Sequence, residues 1–578
     1  MKYLSPIYTV STECQDCYKC IRQCPVKAIR VENEHAHVVG ESCILCGTCV
    51  VQCPTNAKHI RDDLTKAKQL LTQKEKVIVS LAPSFASEFS DYSPEKIVFA
   101  LKQLGFWGVS ETALGADIVS RRMAQDLLEA EKLEQKLYLS SACPVTVEYI
   151  KKYKQEFAPY ITKNASPLLA HSRYLRQIYG DEIGVVFIGP CIAKKRESDV
   201  WKSIDVVLTF DDLRRWFSEY PTLLKNEIVI PAGKETEFIP QKAAKGVLYP
   251  VDGGMIDSIK KYDKLKNVRT IAITGIDQIA NALQGLNPKN LKEPFFIEML
   301  ACAGGCINGP GVVKGKSTAL KRVRLLDYAE KTSDTIDLQC VFDINGVLPV
   351  ENSEEKEHSI EEIRNALRSV GKYTLQDELN CASCGYDTCR SFAEAILNKH
   401  AEKSMCVSYM RKLAQNKANG LIKAIPSGVV VVDKKMKIIE CNQNFAKLLG
   451  SDVEEMYDAL PGLVGARLDK MAKFSKYLCD VLLPDSPEVI DREVREGKKI
   501  FHITAFVIEK EEFAAAVIED VTSPQIQKKR IVSQAKKVIN KSLTAVQKIA
   551  FLLGENAAET ELILNSIIDS FETEDKED

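Results

Sequence analysis

Residues 14–25 read CQDCYKCIRQCP, and residues 43–54 read CILCGTCVVQCP. Both stretches have the spacing C-x2-C-x2-C-x3-C-P, so one pattern of four cysteines and a proline occurs twice. Thiolates two residues apart can converge on one face of a cubane, and the fourth cysteine of each run binds the cluster of the other run. The repeat predicts two iron–sulfur clusters, one with the ligands Cys14, Cys17, Cys20 and Cys53, the other with Cys43, Cys46, Cys49 and Cys24.

A pair of structural zinc sites is the alternative for these cysteines. Zinc, however, usually pairs two C-x2-C units that are separated by a longer loop. The doubled motif resembles that of a bacterial two-cluster ferredoxin. This resemblance implies a ferredoxin-like domain over residues 1–75 that transfers electrons in one-electron steps.

The composition limits the class of protein. A length of 578 residues suggests roughly four domains. The 78 Lys and Arg nearly balance the 79 Asp and Glu, which argues against a nucleic-acid partner. No apolar run is long enough to span a bilayer, and the first residues, MKYLSPIYTV, do not resemble a signal peptide. We therefore expect a cytoplasmic protein with no membrane partner, and in that reducing compartment 19 clustered cysteines favour metal sites over disulfides.

Residues 76–350 have a different pattern, in which apolar strand-like runs alternate with amphipathic helical stretches such as 94–105 and 117–135. This alternation predicts an α/β domain. A lone cysteine after a strand is more often an inert core residue than a ligand. Here, however, four cysteines follow such runs and together could hold one four-iron cluster: Cys143, Cys191, Cys302 and Cys306. The backbone around the last two must pack closely against something bulky, because it contains Gly304, Gly305, Gly309 and Gly311.

The contexts of these cysteines are SSACPV, FIGPCIAKKRE and EMLACAGGCINGPG. They resemble the three signature loops of the catalytic domain of iron-only ([FeFe]) hydrogenases, approximately TSCCP, MPCxxKxxE and ExMxCxxGCxxGGG. The resemblance implies an H-cluster, in which the four cysteines hold a four-iron cluster that is joined through Cys306 to a two-iron subsite. That subsite carries carbon monoxide, cyanide and a bridging dithiolate, and it requires dedicated maturation proteins.

Other positions also match this family. The resemblance assigns Lys194 to a cyanide ligand of the subsite, Pro83 and Ser84 to the other cyanide, and Glu197 to the glutamate of the second loop. A cationic donor that faces an anionic ligand is physically sensible. The alternative for Lys194 and Glu197 is a pair of surface residues on the charged run KKRE, but the neighbouring Cys191 favours the functional interpretation.

The departures from the family pattern predict a slow enzyme. Ala142 stands where catalytic members have a cysteine that relays protons, and alanine cannot carry a proton. When LGAD (114–117) is aligned with the FGAD segment of the hydrogenase family, Met123 and Asp126 stand where the family usually has proton-relay glutamates. Gly189 and Leu300 replace two methionines of the family, which alters the wall packed against the two-iron subsite. In the third loop, Gly309-Pro310-Gly311 replaces three glycines.

A further cysteine group lies within CASCGYDTCRSFAEAIL…SMC, with the candidate ligands Cys381, Cys384, Cys389 and Cys406. It resembles the small four-iron domain of corrinoid iron–sulfur proteins, which implies a third cubane besides the two of the ferredoxin-like domain; a zinc site is the alternative. Residues 420–523 resemble a PAS domain, which implies ligand binding or dimerisation. Apolar positions over 526–572 predict C-terminal helices for signalling or dimerisation, or else for packing on the PAS sheet.

The predicted fold class is therefore multidomain, α/β and α+β. Its domains are a ferredoxin domain (1–75), an H-cluster domain (76–350), a four-iron domain (351–415), a PAS domain (416–525) and C-terminal helices (526–578). This order resembles that of sensory hydrogenases. It implies a homodimeric H2 sensor that slowly oxidises dihydrogen to protons and electrons and regulates a separate kinase or phosphatase. The alternatives are a metabolic hydrogenase that uses ferredoxin, and a redox-responsive iron–sulfur PAS protein without the two-iron subsite.

Overall fold

A computed structural model describes most of the chain. The described residues are 5–130, 133–225, 233, 236–263, 265, 267–350, 358–484, 486–497, 499–523, 532–533 and 535–544. The chain divides into two compact units, Met1–Tyr409 and Met410–Asp578. Among the described helices, none combines the length and the apolar character that a membrane span requires.

The first cysteine repeats form a small module of short elements. These are β1 (Ile7–Thr9), α1 (Lys19–Gln23), β2 (Ile29–Glu32), β3 (His35–Val38), α2 (Thr48–Gln52) and β4 (Lys58–Ile60). Strand β1 pairs with β4, and β2 pairs with β3, both antiparallel. Each helix is a single turn that carries the third cysteine of its run and ends at the fourth, Cys24 or Cys53, whose backbone is extended. The following proline explains this ending, because proline disfavours a helical conformation in the residue before it.

The next part of the first unit is an α/β body. Its elements are α3 (Leu64–Gln73), β5 (Val77–Leu81), α4 (Phe85–Glu88), α5 (Pro94–Gln103), β6 (Gly108–Glu111), α6 (Ala113–Ala130), β7 (Leu137–Leu139), α7 (Pro144–Tyr153), α8 (Pro167–Tyr179), β8 (Gly184–Gly189), α9 (Lys194–Val200), β9 (Val206–Thr209), α10 (Phe210–Glu219), α11 (Gly254–Tyr262), β10 (Arg269–Thr274), α12 (Ile276–Leu283), β11 (Phe295–Leu300) and α13 (Thr318–Glu330). The strands form two parallel sheets, ordered β6-β5-β8-β9 and β10-β11-β7.

The parallel strands place the predicted site residues on adjoining loops. Strands β5 and β8 are buried along their whole length, as expected when helices cover both faces of a parallel sheet. Ser84 follows β5, Cys143 follows β7, Cys191 follows β8 and Cys302 follows β11. Loops at the carboxyl ends of parallel strands share one edge of a sheet, which is where α/β proteins usually bind ligands.

The last cysteine group lies among three helices near the end of the first unit. The elements are α14 (Ile360–Ser369), α15 (Cys389–Leu397) and α16 (Val407–Ala424). Helix α15 begins at a ligand candidate, and the Oγ1 atom of Thr388 caps it by accepting a hydrogen bond from the Ser391 amide, at 3.0 Å. Helix α16 begins directly after Cys406.

The second unit contains one antiparallel sheet with helices. Its elements after α16 are β12 (Gly428–Asp433), β13 (Ile438–Cys441), α17 (Gln443–Leu449), α18 (Ser451–Ala459), α19 (Leu468–Met471), α20 (Ser475–Val481), β14 (Val489–Glu496), β15 (Lys499–Glu509) and β16 (Phe513–Asp520). The strand order is β13-β12-β16-β15-β14. The described residues 532–533 and 535–544 are helical, whereas the rest of the predicted C-terminal helices lies outside the described residues.

Candidate functional site

The structure brings the N-terminal cysteines together in two groups. Burial raises the pKa of the Cys20 thiol, as do the neighbouring thiols of Cys14, Cys17 and Cys53. In the other group, burial raises the pKa of Cys49, and so do Cys43, Cys46 and Cys24. In both groups the structure places one cysteine of the opposite run beside three cysteines of a single run.

A third group lies at the loop ends of the α/β body. Burial strongly raises the pKa of the Cys302 thiol, and the next contributions come from Cys306, Cys191 and Cys143. Burial also raises the pKa of Cys191 to about 12, again with Cys143 nearby. Thiols packed together in this way resist ionisation unless a cation neutralises them, so the donor set fits an iron–sulfur cluster.

A cavity of about 100 Å³ lies beside this cysteine group. The side chains around it are mostly apolar, and they include the residues that the family resemblance places in contact with the two-iron subsite, whereas Gly189 and Glu197 do not line it. Lining residues are Pro83, Ser84, Ala142, Cys143, Cys191, Lys194, Leu300 and Cys306. The cavity is therefore a mostly apolar chamber with three thiols, three hydroxyl residues and one ammonium on its walls.

Ser84 has an unusual environment in this chamber. The residue is 1% exposed, and its Oγ atom has no hydrogen-bond partner among the described residues. A buried polar group without a partner costs roughly 1–3 kcal/mol, so such groups are rare unless a ligand or water satisfies them. The orphaned hydroxyl therefore fits a bound group that offers an acceptor inside the cavity.

Lys194 is held by a buried ion pair. Its Nζ atom lies 2.8 Å from Oε2 of Glu197, and the Ser166 hydroxyl donates to the same oxygen at 2.9 Å. Both charged residues are less than a tenth exposed. A buried pair is weak evidence for stability, because desolvation offsets the attraction. Its effect here is on orientation, because Glu197 holds the ammonium at the cavity wall without lining the cavity itself.

Of the three positions expected for the proton relay, Ala142, Met123 and Asp126, only Asp126 has a titratable side chain. Ala142 lines the cavity, and Met123 is buried. The Nδ2 atom of Asn164 lies 3.6 Å from Sδ of Met123 and donates to Oδ2 of Asp126 at 3.0 Å. Asp126 also pairs with Arg122, with 2.8 Å between Oδ1 and Nε. The structure thus brings Met123 and Asp126 to one place, but neither alanine nor methionine can pass a proton from the cavity to this carboxylate.

The glycines of the loops pack against protein. A Cβ atom on Gly305 would lie 2.1 Å from the carbonyl oxygen of Pro250, and one on Gly309 would lie 2.8 Å from that of Pro190. The bulky neighbour expected from the sequence is therefore the backbone of other loops. At Gly189, a Cβ atom would lie 2.4 Å from Cζ of Phe187, and that ring lines the cavity. Phe187 fills space next to the position where the family has a methionine.

Sequence reasoning did not identify two hydroxyl residues of the cavity wall. Thr112 shares a hydrogen bond with the Ser80 hydroxyl at 2.7 Å, and Ser80 in turn lies 2.8 Å from Nδ1 of His171. The Tyr249 hydroxyl lies 2.9 Å from that of Ser120. Neither Thr112 nor Tyr249 belongs to a cysteine loop, so no motif in the sequence could have indicated them.

The last cysteine group also converges. Cys381, Cys384, Cys389 and Cys406 all line one cavity of about 20 Å³. Burial raises the pKa of Cys384, and the neighbouring Cys406 and Cys381 thiols contribute. Within the described ranges, no group of three or more His, Cys, Asp or Glu residues is arranged to hold a single metal ion. That finding concerns single-ion sites, because the thiolates around a four-iron cubane stand farther apart.

Comparison with known families agrees with the fold and with these loops. Residues 75–310 match the iron only hydrogenase large subunit, C-terminal domain, and residues 6–54 match the 4Fe-4S dicluster domain. Residues 377–408 match an Fe-S cluster family, and residues 417–477 match the PAS domain. The chain is therefore an [FeFe]-hydrogenase-like protein with iron–sulfur domains and a C-terminal PAS domain. This confirms the family resemblance and the predicted mixed α/β multidomain fold.

Individual relatives are distant. The chain is 27% identical to the Periplasmic [Fe] hydrogenase large subunit of Nitratidesulfovibrio vulgaris, over 46% of this chain and 73% of that protein. It is 25% identical to Iron hydrogenase 1 of Clostridium pasteurianum, over 43% of this chain and about half, 52%, of that protein. It is also 24% identical to the Cytosolic Fe-S cluster assembly factor narfl of Xenopus tropicalis, over 49% of this chain and 68% of that protein.

Proposed function

We propose that this protein is an H2-sensing [FeFe]-hydrogenase, which binds dihydrogen and oxidises it slowly and reversibly. One observation carries the proposal. Three of the four cysteines line the cavity together with Ser84 and Lys194, but Ala142 occupies the place of a proton-carrying residue. The protein would therefore recognise dihydrogen but turn it over slowly.

The residues that would hold the H-cluster are Cys143, Cys191, Cys302 and Cys306. When bound, this group supplies reversible cleavage of dihydrogen into protons and electrons. Lys194 would donate a charge-assisted hydrogen bond to an anionic ligand on the two-iron part, and Ser84 would donate a second one. Glu197 is a positioning residue, because it contacts Lys194 and Ser166. The apolar wall excludes water from the reacting centre.

Slow turnover follows from the proton route. A proton released in the cavity needs a titratable group within hydrogen-bond reach. The Ala142 methyl group and the Met123 thioether offer none, so protons must leave by a less favourable path.

The electrons would pass to two cubanes in the N-terminal module and one held by Cys381, Cys384, Cys389 and Cys406. A redox partner such as ferredoxin would exchange electrons with them. The oxidation state of these clusters would bias the PAS domain of a homodimer, which would regulate a separate kinase or phosphatase. We place the protein in the cytoplasm, where maturation proteins would insert the two-iron subsite.

An infrared spectrum of the anaerobically matured protein tests the proposal. We expect carbonyl and cyanide bands under argon that shift when H2 replaces argon. If active maturation proteins produce no such bands, the two-iron subsite is absent and the proposal fails.

The H2 oxidation rate separates the sensor from a metabolic hydrogenase. We expect turnover far below that of a matured ferredoxin-linked hydrogenase assayed side by side with the same electron acceptor. Equal rates would favour the metabolic enzyme.

A redox-responsive iron–sulfur PAS protein without the two-iron subsite is the second candidate. The similarity to an assembly factor favours it. The unpartnered Ser84 hydroxyl argues against it, because such a protein would give this buried group no acceptor.

A further inference from the structure

The segment with the last four cysteines packs against the first half of the N-terminal module. The Val31 amide donates to the carbonyl oxygen of His400 at 2.9 Å, which extends the backbone hydrogen bonding of β2. The Asn33 amide donates to Oε1 of Glu402, also at 2.9 Å. Both acceptors lie just before Cys406, so this segment is held directly against the β2–β3 hairpin.

One arginine joins the two cysteine loops. The Nη2 atom of Arg22 donates to the carbonyl oxygen of Cys17 at 3.0 Å, and its Nη1 atom donates to that of Ser383 at 3.4 Å. Cys17 belongs to the first cysteine group, and Ser383 lies between Cys381 and Cys384. A single guanidinium therefore bridges the backbone of both ligand loops.

The two loops also touch where a glycine of one packs against an isoleucine of the other. Gly385 has a φ of +97°, and a Cβ atom there would lie 2.7 Å from Cγ2 of Ile21. Gly385 directly follows Cys384, and Ile21 directly follows Cys20. Each contacting residue is thus one peptide away from a cysteine, and the Ile21 side chain packs directly on the backbone of Gly385.

The other half of the module faces the deep cysteine group. Gly47 directly follows Cys46, and a Cβ atom on it would lie 2.8 Å from Cδ1 of Ile192, which directly follows Cys191. A Cβ atom on Gly47 would lie 2.5 Å from Cβ of Pro310. The second cysteine group therefore adjoins the cavity loops, whereas the first group adjoins the 381–406 segment.

We propose that the 381–406 cluster is the terminal member of a linear electron route, and that it exchanges electrons directly only with the cluster of Cys14, Cys17, Cys20 and Cys53. Each transfer oxidises one cluster and reduces its neighbour by one electron, with no proton or bond involved. The route from the deep site then runs through the second group, the first group and the 381–406 cluster.

This order of clusters adds a signalling role for the 381–406 cluster, and that role rests on the proposed function. Cys406, a ligand candidate of the terminal cluster, is followed directly by α16, which leads along the chain to the PAS domain. The last electron acceptor would thus be the cluster nearest in sequence to the output domain.

Electron paramagnetic resonance of the full-length protein tests the order. Dithionite supplies the electrons, so neither H2 nor the two-iron subsite is needed, and the result is independent of the test of function. We expect the reduced 381–406 cluster to show magnetic interaction with a neighbour. That interaction should be lost in Cys20→Ala and retained in Cys49→Ala, with iron analysis confirming that each variant lacks a single cluster.

A second pair of variants keeps every cluster. Arg22→Gln removes the bridge between the two loops and should weaken the magnetic interaction. Arg30→Gln is the matched control, because its described partner is Glu32, at 3.1 Å, and it should leave the interaction unchanged. The order is wrong if the interaction survives in Cys20→Ala, disappears in Cys49→Ala, or is equally strong in Arg22→Gln and Arg30→Gln.

Discussion

At the scale of single residues, the cavity wall departs from ordinary packing at Ser84. Its hydroxyl is buried and unpartnered in the described structure, whereas the nearby Ser80 hydroxyl bonds to Thr112 and His171. The two serines therefore affect stability in opposite ways. The Ser80 hydroxyl stabilises the folded protein through hydrogen bonds, whereas the burial of the Ser84 hydroxyl without a partner destabilises it.

We predict that Ser84→Ala leaves the stability of the protein lacking the two-iron subsite unchanged or slightly higher. Ser80→Ala should cost about 1–3 kcal/mol, because it strands two buried partners. Anaerobic thermal denaturation of both variants measures the difference. In matured Ser84→Ala, a cyanide band should shift. Equal destabilisation by the two substitutions would contradict the assignment of Ser84 to a ligand.

Ala142 leads to a second prediction at this scale. Ala142→Cys places a titratable thiol in the cavity wall, so H2 oxidation should rise at least about tenfold, since positioned acid–base groups typically contribute about 10²–10⁴-fold. Ala82→Cys is the control, because Ala82 lines the same cavity at a different point. If both variants have the rate of the unaltered protein, proton transfer does not limit turnover.

At the scale of elements, His171 connects a helix to two strands. It lies in α8, and its ring nitrogens meet Ser80 of β5 at 2.8 Å and Ser110 of β6 at 2.9 Å. The ring is fully buried, and burial lowers its pKa to about 3. A neutral imidazole has one donor and one acceptor, and the two hydroxyls can adapt to either tautomer.

This histidine predicts a pH dependence of stability. Between pH 6.5 and about 3, the unfolded chain binds a proton at His171 that the folded protein does not. The free energy of unfolding therefore falls as the pH falls through this window, by about 1.4 kcal/mol per pH unit from this group. Above pH 6.5 the imidazole is neutral in both states, so this group no longer makes stability depend on pH. Denaturation between pH 5 and 7 should show a shallower slope for His171→Asn. An identical slope would mean that the ring titrates normally.

Helix α6 shows where the sequence pattern misleads. The pattern predicted a helix over 117–135, but α6 begins at Ala113 and ends at Ala130. Its first turns are buried on all sides, so they lack the amphipathic period that marks a surface helix. A Cβ atom on Gly115 would lie 2.0 Å from the Pro167 carbonyl oxygen, so the close packing against α8 depends on a glycine there.

At the scale of the whole molecule, the cysteine groups predict the metal content. Four cubanes and a two-iron subsite amount to about 18 iron atoms per chain, and protein made without maturation proteins should hold about 16. Iron and protein analysis of both preparations measures the difference. A value near 12 in the immature protein would mean that one cysteine group holds no cluster.

The sequence alone determined the cysteine groups, the family loops and the order of the domains. These features depend on short spacings, because ligands of one cluster recur two or three residues apart and because apolar runs mark the strands before each loop. The outcome differs for contacts between remote segments. Tertiary structure decided the placement of Thr112 and Tyr249 at the cavity, the Ser166 bond to Glu197 and the Arg22 bridge to Ser383. Their partners lie far apart in the chain or outside any motif, and only the packing of sheets and loops brings them within contact distance.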